Sequence, residues 1–386
     1  MAKSERFAFL DVLRGIAVLW MIQVHVTNVF LDPSLRSGWF FTALNISNGF
    51  VAPAFIFCAG SGLWIAMSRK GQAFLSFDTP LWQYLKRLSY ILFWGYVLHM
   101  PAWSLIEMTT MSYDKLLSGF QVDVLQTIVY SSLFVLVTFL VSRRLERSAL
   151  ILTIVTITIW FTTALFWSGS LLSTIPAPIR VMLSPPPTSP FPLIPWSAYL
   201  FAGFVTTHLF MRSNQKQRIA RWMIIGGATL PFIIFMVREL ESGLPWSDMW
   251  WAAAPGSQLF RVCGIALTWG VLYMMEERLR VSSLGTFLQK VGTESLFLYL
   301  SHLLIVYGQL PSVLSLIGIG PVGYGGVAII WIGVTVPLLF VMYWWNWLKG
   351  AHPDKTRWIL IVQVVWISLS LLLTPPGFTW EGLLSE

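Results

Sequence analysis

The sequence has little charge, little histidine and almost no cysteine. Asp, Glu, Lys and Arg together make up 11% of 386 residues, beside five histidines and two cysteines. So few charges cannot cover a water-soluble fold of this length. With 56% hydrophobic residues and a mean hydropathy of +0.70, the chain reads as an all-α, polytopic membrane helix bundle. Cys58 and Cys263 both fall inside apolar runs, so they form no disulfide framework and do not report a redox compartment. Cys58 is either an acyl relay or, on the simpler reading, a packed apolar side chain. The first apolar segment is expected to stay as a span rather than act as a cleavable signal, because it is too long, contains Asp11 and Arg14, and is not followed by a small-residue cleavage site. No solenoid-period repeat is found, nor two halves related by internal symmetry, and no metal is expected.

Eleven spans are expected, over residues 8–30, 49–67, 88–106, 122–141, 148–167, 191–211, 220–237, 257–275, 291–309, 324–345 and 357–374. They form one transmembrane domain over residues 1–386, with a core of about 8–345 and an extra C-terminal span. Lys3 and Arg6, Arg69 to Arg87, Arg143 to Arg147, Arg212 to Arg221, Arg278 to Lys290 and Lys349 to Arg357 then fall on one side. The other side holds most loop acids, including Asp32, Glu107, Asp114 and Asp248. The positive-inside rule makes the N-terminus cytoplasmic and Glu386 extracytoplasmic, in an inner (plasma) membrane. The net charge of +8 is therefore a topology signal, helped by anionic lipid at the bilayer surface, and does not indicate a nucleic-acid partner. A homo-oligomer is compatible with the sequence and not specified by it.

Phe9 to Phe30 is long enough to cross a bilayer as one helix, yet it carries Asp11, Arg14 and His25. Ionisable groups in a membrane helix cost several kcal/mol unless they are paired or face a wet interior, so they mark a functional site. Arg14 and His25, eleven residues apart, return to within roughly 20° of one face, and Asp11 precedes Arg14 by three residues, at ion-pair spacing. This makes a polar track about 16 Å long. The competing reading is that Asp11 and Arg14 snorkel and His25 is a hydrogen-bonded interior residue.

Residues 31–48 read as an outer loop with Asn45 and Asn48 as candidate substrate contacts. The run Ala59, Gly60, Ser61, Gly62 allows either close helix packing or backbone opening around a ligand. Asp123 and Gln126 share a face and either reach an outer vestibule or cap the helix start. His99 is read as structural. Residues 168–192, rich in proline, read as an extended outer loop, a lid over an acceptor site. Trp196 is either an interfacial anchor or a stacking platform for a sugar ring. Arg261 is a candidate partner of Asp123. In VGTESLFLYLSHLLIVYG, Glu294 and Ser301 are seven residues apart on nearly one face, and His302 falls at a depth similar to that of His25.

The segment DVLRGIAVLWMIQVH resembles the transmembrane acyltransferase superfamily, whose first catalytic helix carries an arginine, ten residues and a histidine, here Arg14 and His25. Within it, NGFVAPAFIFCAGSGLWIA, DVLQTI, FPLIPWSAYLFAGF and ESLFLYLSHLLIV are most similar to bacterial relatives of heparan-α-glucosaminide N-acetyltransferase. The resemblance implies transfer of an acetyl or other short acyl group from cytosolic acyl-coenzyme A to an amine or hydroxyl of a glycan or amino-sugar acceptor across the bilayer. The lysosomal relatives carry asparagine where this chain has His25 and place their key histidine in the next loop. Residues 31–48 here hold none, so glucosamine specificity is not implied. The envelope-glycan O-acyltransferases share the same spacing, and a small-molecule or proton-coupled transporter would also carry intramembrane Asp, Arg and His. On the transferase reading, Arg14, with Asp11, suits coenzyme A phosphates. His25 suits a general base, and His302 assists it or donates to the thioester carbonyl.

Overall fold

The computed structural model describes residues 7–377. Lys3, Arg6 and Glu386, which the topology expectation uses, lie outside the described residues. The described chain is helical apart from turns and an isolated bridge between Leu31 and Val322. Its long helices are α1 (Ala8–Phe30), α2 (Gly38–Asn48), α3 (Val51–Leu75), α4 (Thr79–Val97), α5 (Val124–Ser142), α6 (Leu145–Ser168), α7 (Leu193–Arg212), α8 (Lys216–Val237), α9 (Pro255–Met274), α10 (Ser283–Thr293), α11 (Ser295–Leu304), α12 (Tyr324–Ala351) and α13 (Pro353–Leu373).

Among the described residues, nine segments are long and apolar enough to cross a membrane. Nine of the eleven expected spans overlap these segments, and the other two overlap α4 and α9, which are below that apolarity. They carry Lys86 and Arg87, and Gln258 and Arg261, respectively. Four expectations are corrected. The span placed at 88–106 is α4, which stops at Val97, so His99 and Pro101 lie beyond its end. The outer loop 31–48 contains α2. The proline-rich interval 168–192 is not extended throughout, because it folds into short helices at Ser170–Thr174 and Ala177–Leu183. The span 291–309 is broken at Glu294, which closes α10 and opens α11, and it continues through a wider π turn at Ile305–Gln309.

The first helix lies between two hydrophobic clusters. Phe9, Leu13, Ala17 and Met21 pack into the larger one with α3, α5 and α7, and Val18, Ile22, Val26 and Phe30 pack into a second one with α11 and α12. Between membrane helices close contact and hydrogen bonds hold the partners together, since lipid is as apolar as the helix surface. Glycine makes that contact possible here. A Cβ at Gly60 would stand 1.9 Å from the Leu200 carbonyl oxygen, and one at Gly203 would stand 2.1 Å from that of Phe57, so α3 and α7 meet backbone to backbone. The Ala59 to Gly62 run thus serves close packing, and Ser61 Oγ donates to the Phe57 carbonyl across 3.2 Å. The same geometry joins α1 to α10, where Gly15 faces the Leu288 carbonyl and Gly292 faces that of Asp11.

Candidate active site: a histidine pair beneath a polar chamber

The α1–α10 contact sets the register of the two stretches that carry the histidines. Just beyond it, His25 Nδ1 lies 2.8 Å from His302 Nε2, with the rings nearly parallel at 13° and 5.0 Å between centroids. The other nitrogen of His302, Nδ1, lies 2.7 Å from the Leu298 carbonyl oxygen. A carbonyl only accepts, so His302 Nδ1 carries a hydrogen, and in the neutral ring Nε2 holds the lone pair. His25 Nδ1 therefore donates to His302, which leaves Nε2 as the basic nitrogen of His25. His302 is fully buried with both nitrogens engaged. It has no atom left to offer a thioester carbonyl, and that expected role is corrected.

His25 lies on the wall of a chamber of about 660 Å³ roofed by α2. Asp123 stands on the same wall at the N-cap of α5. Its Oδ1 accepts from the Val124 backbone N–H at 2.7 Å, and its Oδ2 takes both His99 Nε2 and the Tyr299 hydroxyl at 3.0 Å. Both expectations for this residue hold together, since it caps the helix and reaches the chamber. Gln126 does not reach it. Its side chain is wholly buried between the Gly95 carbonyl, 2.8 Å away, and the Asp123 backbone N–H, 3.2 Å away, closing the capping box.

Sequence reading missed His99 and Tyr299. His99 reaches Asp123 only because the chain turns irregularly after α4, which no periodicity announces. Tyr299 lies one turn before His302 and its ring meets that histidine edge-on at 5.8 Å, a spacing of three that was available in the sequence. Tyr307, in the π turn, packs edge-on against His25 at 5.4 Å.

The remaining walls hold Asn45 and Asn48 of α2 together with Trp196, and Arg36, Arg238 and Arg261. Arg261 does not pair with Asp123. It donates to the Trp251 and Ser257 carbonyls at 2.8 and 3.3 Å. Trp196 is wedged between Phe191 and Tyr199, at 4.6 and 5.6 Å between ring centroids.

Four other candidates stand outside the chamber. Arg14 and Asp11 form their ion pair at 3.6 Å, and Arg14 faces Gly62 of α3, about 16 Å along α1 from His25. Glu294 turns towards α12, where Lys349 and Asn346 hold its carboxylate. Ser301 does not line the chamber either.

These features define a multi-pass membrane protein, and the family it belongs to makes it a transferase. Residues 6–239, more than half of the chain, match the family described as heparan-alpha-glucosaminide N-acetyltransferase, catalytic, and the chain belongs to that family. Comparison with curated proteins and with solved structures returned no match. The matched stretch includes Arg14, His25, His99 and Asp123 and ends before Tyr299 and His302.

Proposed function

We propose that this transferase moves an acetyl or other short acyl group from acyl-coenzyme A, entering from the cytoplasmic side at the Ala8 end of α1, to an amine or hydroxyl of a sugar acceptor in the chamber. The observation that carries the reading is the hydrogen-bonded chain from the Leu298 carbonyl through His302 to His25, which assigns the basic nitrogen to His25, a residue on the wall of the chamber. The acceptor O–H or N–H attacks the thioester carbonyl carbon while His25 Nε2 takes its proton. When the tetrahedral intermediate collapses, the C–S bond breaks. The departing thiolate recovers that proton as free coenzyme A, and the acyl group stays on the acceptor. His302 is a positioning residue that fixes the His25 ring and tautomer, and Asp123 contributes negative charge to the chamber in which the imidazolium forms. Asn45, Asn48 and Trp196 are acceptor contacts.

Arg14 supplies a planar donor fork for the phosphates of the donor, with Asp11 orienting it. Arg14→Lys keeps the charge and loses the fork, so donor affinity should fall roughly 10-fold, about 1.4 kcal/mol, in calorimetry with acetyl-coenzyme A. Unchanged affinity in Arg14→Ala would remove Arg14 from the donor site.

Sidedness has its own test. Cysteines introduced at Lys216 and at Asp114 should react with an impermeant maleimide from opposite faces of sealed vesicles. Labelling of both from one face would reverse a loop between them and with it the cytoplasmic entry of the donor.

A further inference from the structure

A second cavity, of about 530 Å³, lies on the flank of the bundle between α1, α3 and α9. Leu13, Ile16, Ala17 and Trp20 line about 10 Å of it along α1, and Ser47 and Thr268 are its only hydroxyl-bearing residues. Ile46 and Val51 line both this cavity and the chamber of His25. Trp20, exposed at the rim, donates through Nε1 to Asn48 Oδ1 at 3.1 Å, and Asn48 lines the chamber. A nearly apolar cavity and one that carries charged and polar side chains thus adjoin at Ile46 and Val51.

The α2 helix is built for that position. Thr42, Asn45 and Asn48 face the chamber, Ala43 and Ser47 face the groove, and none of its residues is buried. The charge in the chamber is also unequal, with three guanidinium groups to the single carboxylate of Asp123. Arg36, Arg238 and Arg261 make no ion pair with a carboxylate among the described residues, and the carboxylate of Asp123 is engaged by His99 and Tyr299. Arg36 and Arg261 are held on backbone carbonyls, and Arg238 lies 5.2 Å over the Trp250 ring, so all three guanidinium groups remain without a paired carboxylate.

The geometry points to an anionic amphiphile of the membrane as the acceptor: a hydrocarbon chain in the flank groove, and a phosphate- or carboxylate-bearing sugar head in the chamber beside His25. This rests on the transferase reading and narrows it. An apolar chain in a groove open to lipid costs no desolvation, while an anionic head finds three guanidinium groups in a partly dry chamber, where charge-assisted hydrogen bonds are strongest. The head hydroxyl or amine gives its proton to His25, bonds to the acyl carbon and displaces coenzyme A as above, and the chain stays in the membrane throughout.

The test is photolabelling in proteoliposomes with two probes sharing one diazirine-bearing tail, phosphatidic acid and the neutral diacylglycerol. Phosphatidic acid should label residues 13–20 and 43–47 at least fivefold more than diacylglycerol. Ala43 is exposed, so Ala43→Trp fills the groove without disturbing the core and should cut that labelling at least fivefold. The double substitution Arg238→Gln and Arg261→Gln should leave tail labelling and erase the preference for phosphate. Equal labelling by both probes in the unmodified protein would mean ordinary annular lipid and overturn the inference, as would labelling indifferent to Ala43→Trp. Labelling reads binding alone, so its failure leaves the transferase reading standing. Intact labelling without acyl transfer to any acceptor would overturn the transferase reading instead.

Discussion

His25→Gln should transfer acyl groups about 10²–10⁴-fold more slowly than the unmodified protein, with donor binding unchanged. Glutamine keeps polarity and similar bulk but has no nitrogen that accepts a proton at neutral pH, so acceptor attack loses its base. Arg14, the proposed contact for donor phosphates, lies about 16 Å away along α1 and should not sense the change. His302→Gln is the informative control. Its amide oxygen still accepts from His25 Nδ1, so the tautomer survives while ring orientation loosens, and the loss should be smaller than for His25→Gln. Single-turnover transfer in proteoliposomes, with acetyl-coenzyme A binding measured on the same preparations, separates the two. Wild-type turnover in His25→Gln beside a dead His302→Gln would reverse the roles, and full activity in both would remove the pair from the chemistry.

The second large effect is expected at a residue with no chemistry. A Cβ at Gly292 would lie 1.9 Å from the Asp11 carbonyl oxygen and 3.0 Å from the Gly15 backbone nitrogen. Those are backbone atoms and cannot swing aside, so Gly292→Ala must part α1 and α10 by about 1 Å. A displacement of that size at reacting groups costs on the order of 10²-fold in rate. The fold should survive, since overpacking a helix contact costs about 1–3 kcal/mol. The variant is therefore expected to extract normally while turning over about 100-fold more slowly, and, because Asp11 and Gly15 flank Arg14, to bind acetyl-coenzyme A more weakly as well. Full activity would show that the histidine register does not depend on this contact.

Helical spacing made α1 legible: the Asp11–Arg14 pair, the buried stripe and the common depth of His25 and His302 all come from the 3.6-residue period. It fails wherever a side chain's partner is set by non-helical backbone or by a distant helix. His99 looked like a lone histidine because its partner is reached through the irregular turn after Val97. Glu294 and Ser301 lie on nearly one face of an ideal helix, but the chain breaks at Glu294, and Lys349, fifty-five residues on, takes its carboxylate. The α2 helix was invisible because eleven residues including Gly38, Thr42, Asn45 and Ser47 are too short and too polar to read as a span.

Transport by alternating access needs an interface along which two rigid halves can slide or rock. The α3–α7 contact offers none. With Gly60 seated on the Leu200 carbonyl and Gly203 on that of Phe57, a one-residue slip would drive the side chain of Ser61 or Phe204 into a backbone oxygen. This contact is therefore a fixed seam, and on the proposed sidedness only a two-carbon or similarly small fragment need cross the bundle. On that proposal coenzyme A and the acceptor keep their compartments, and solute gradients across the membrane are kept while the acyl group passes.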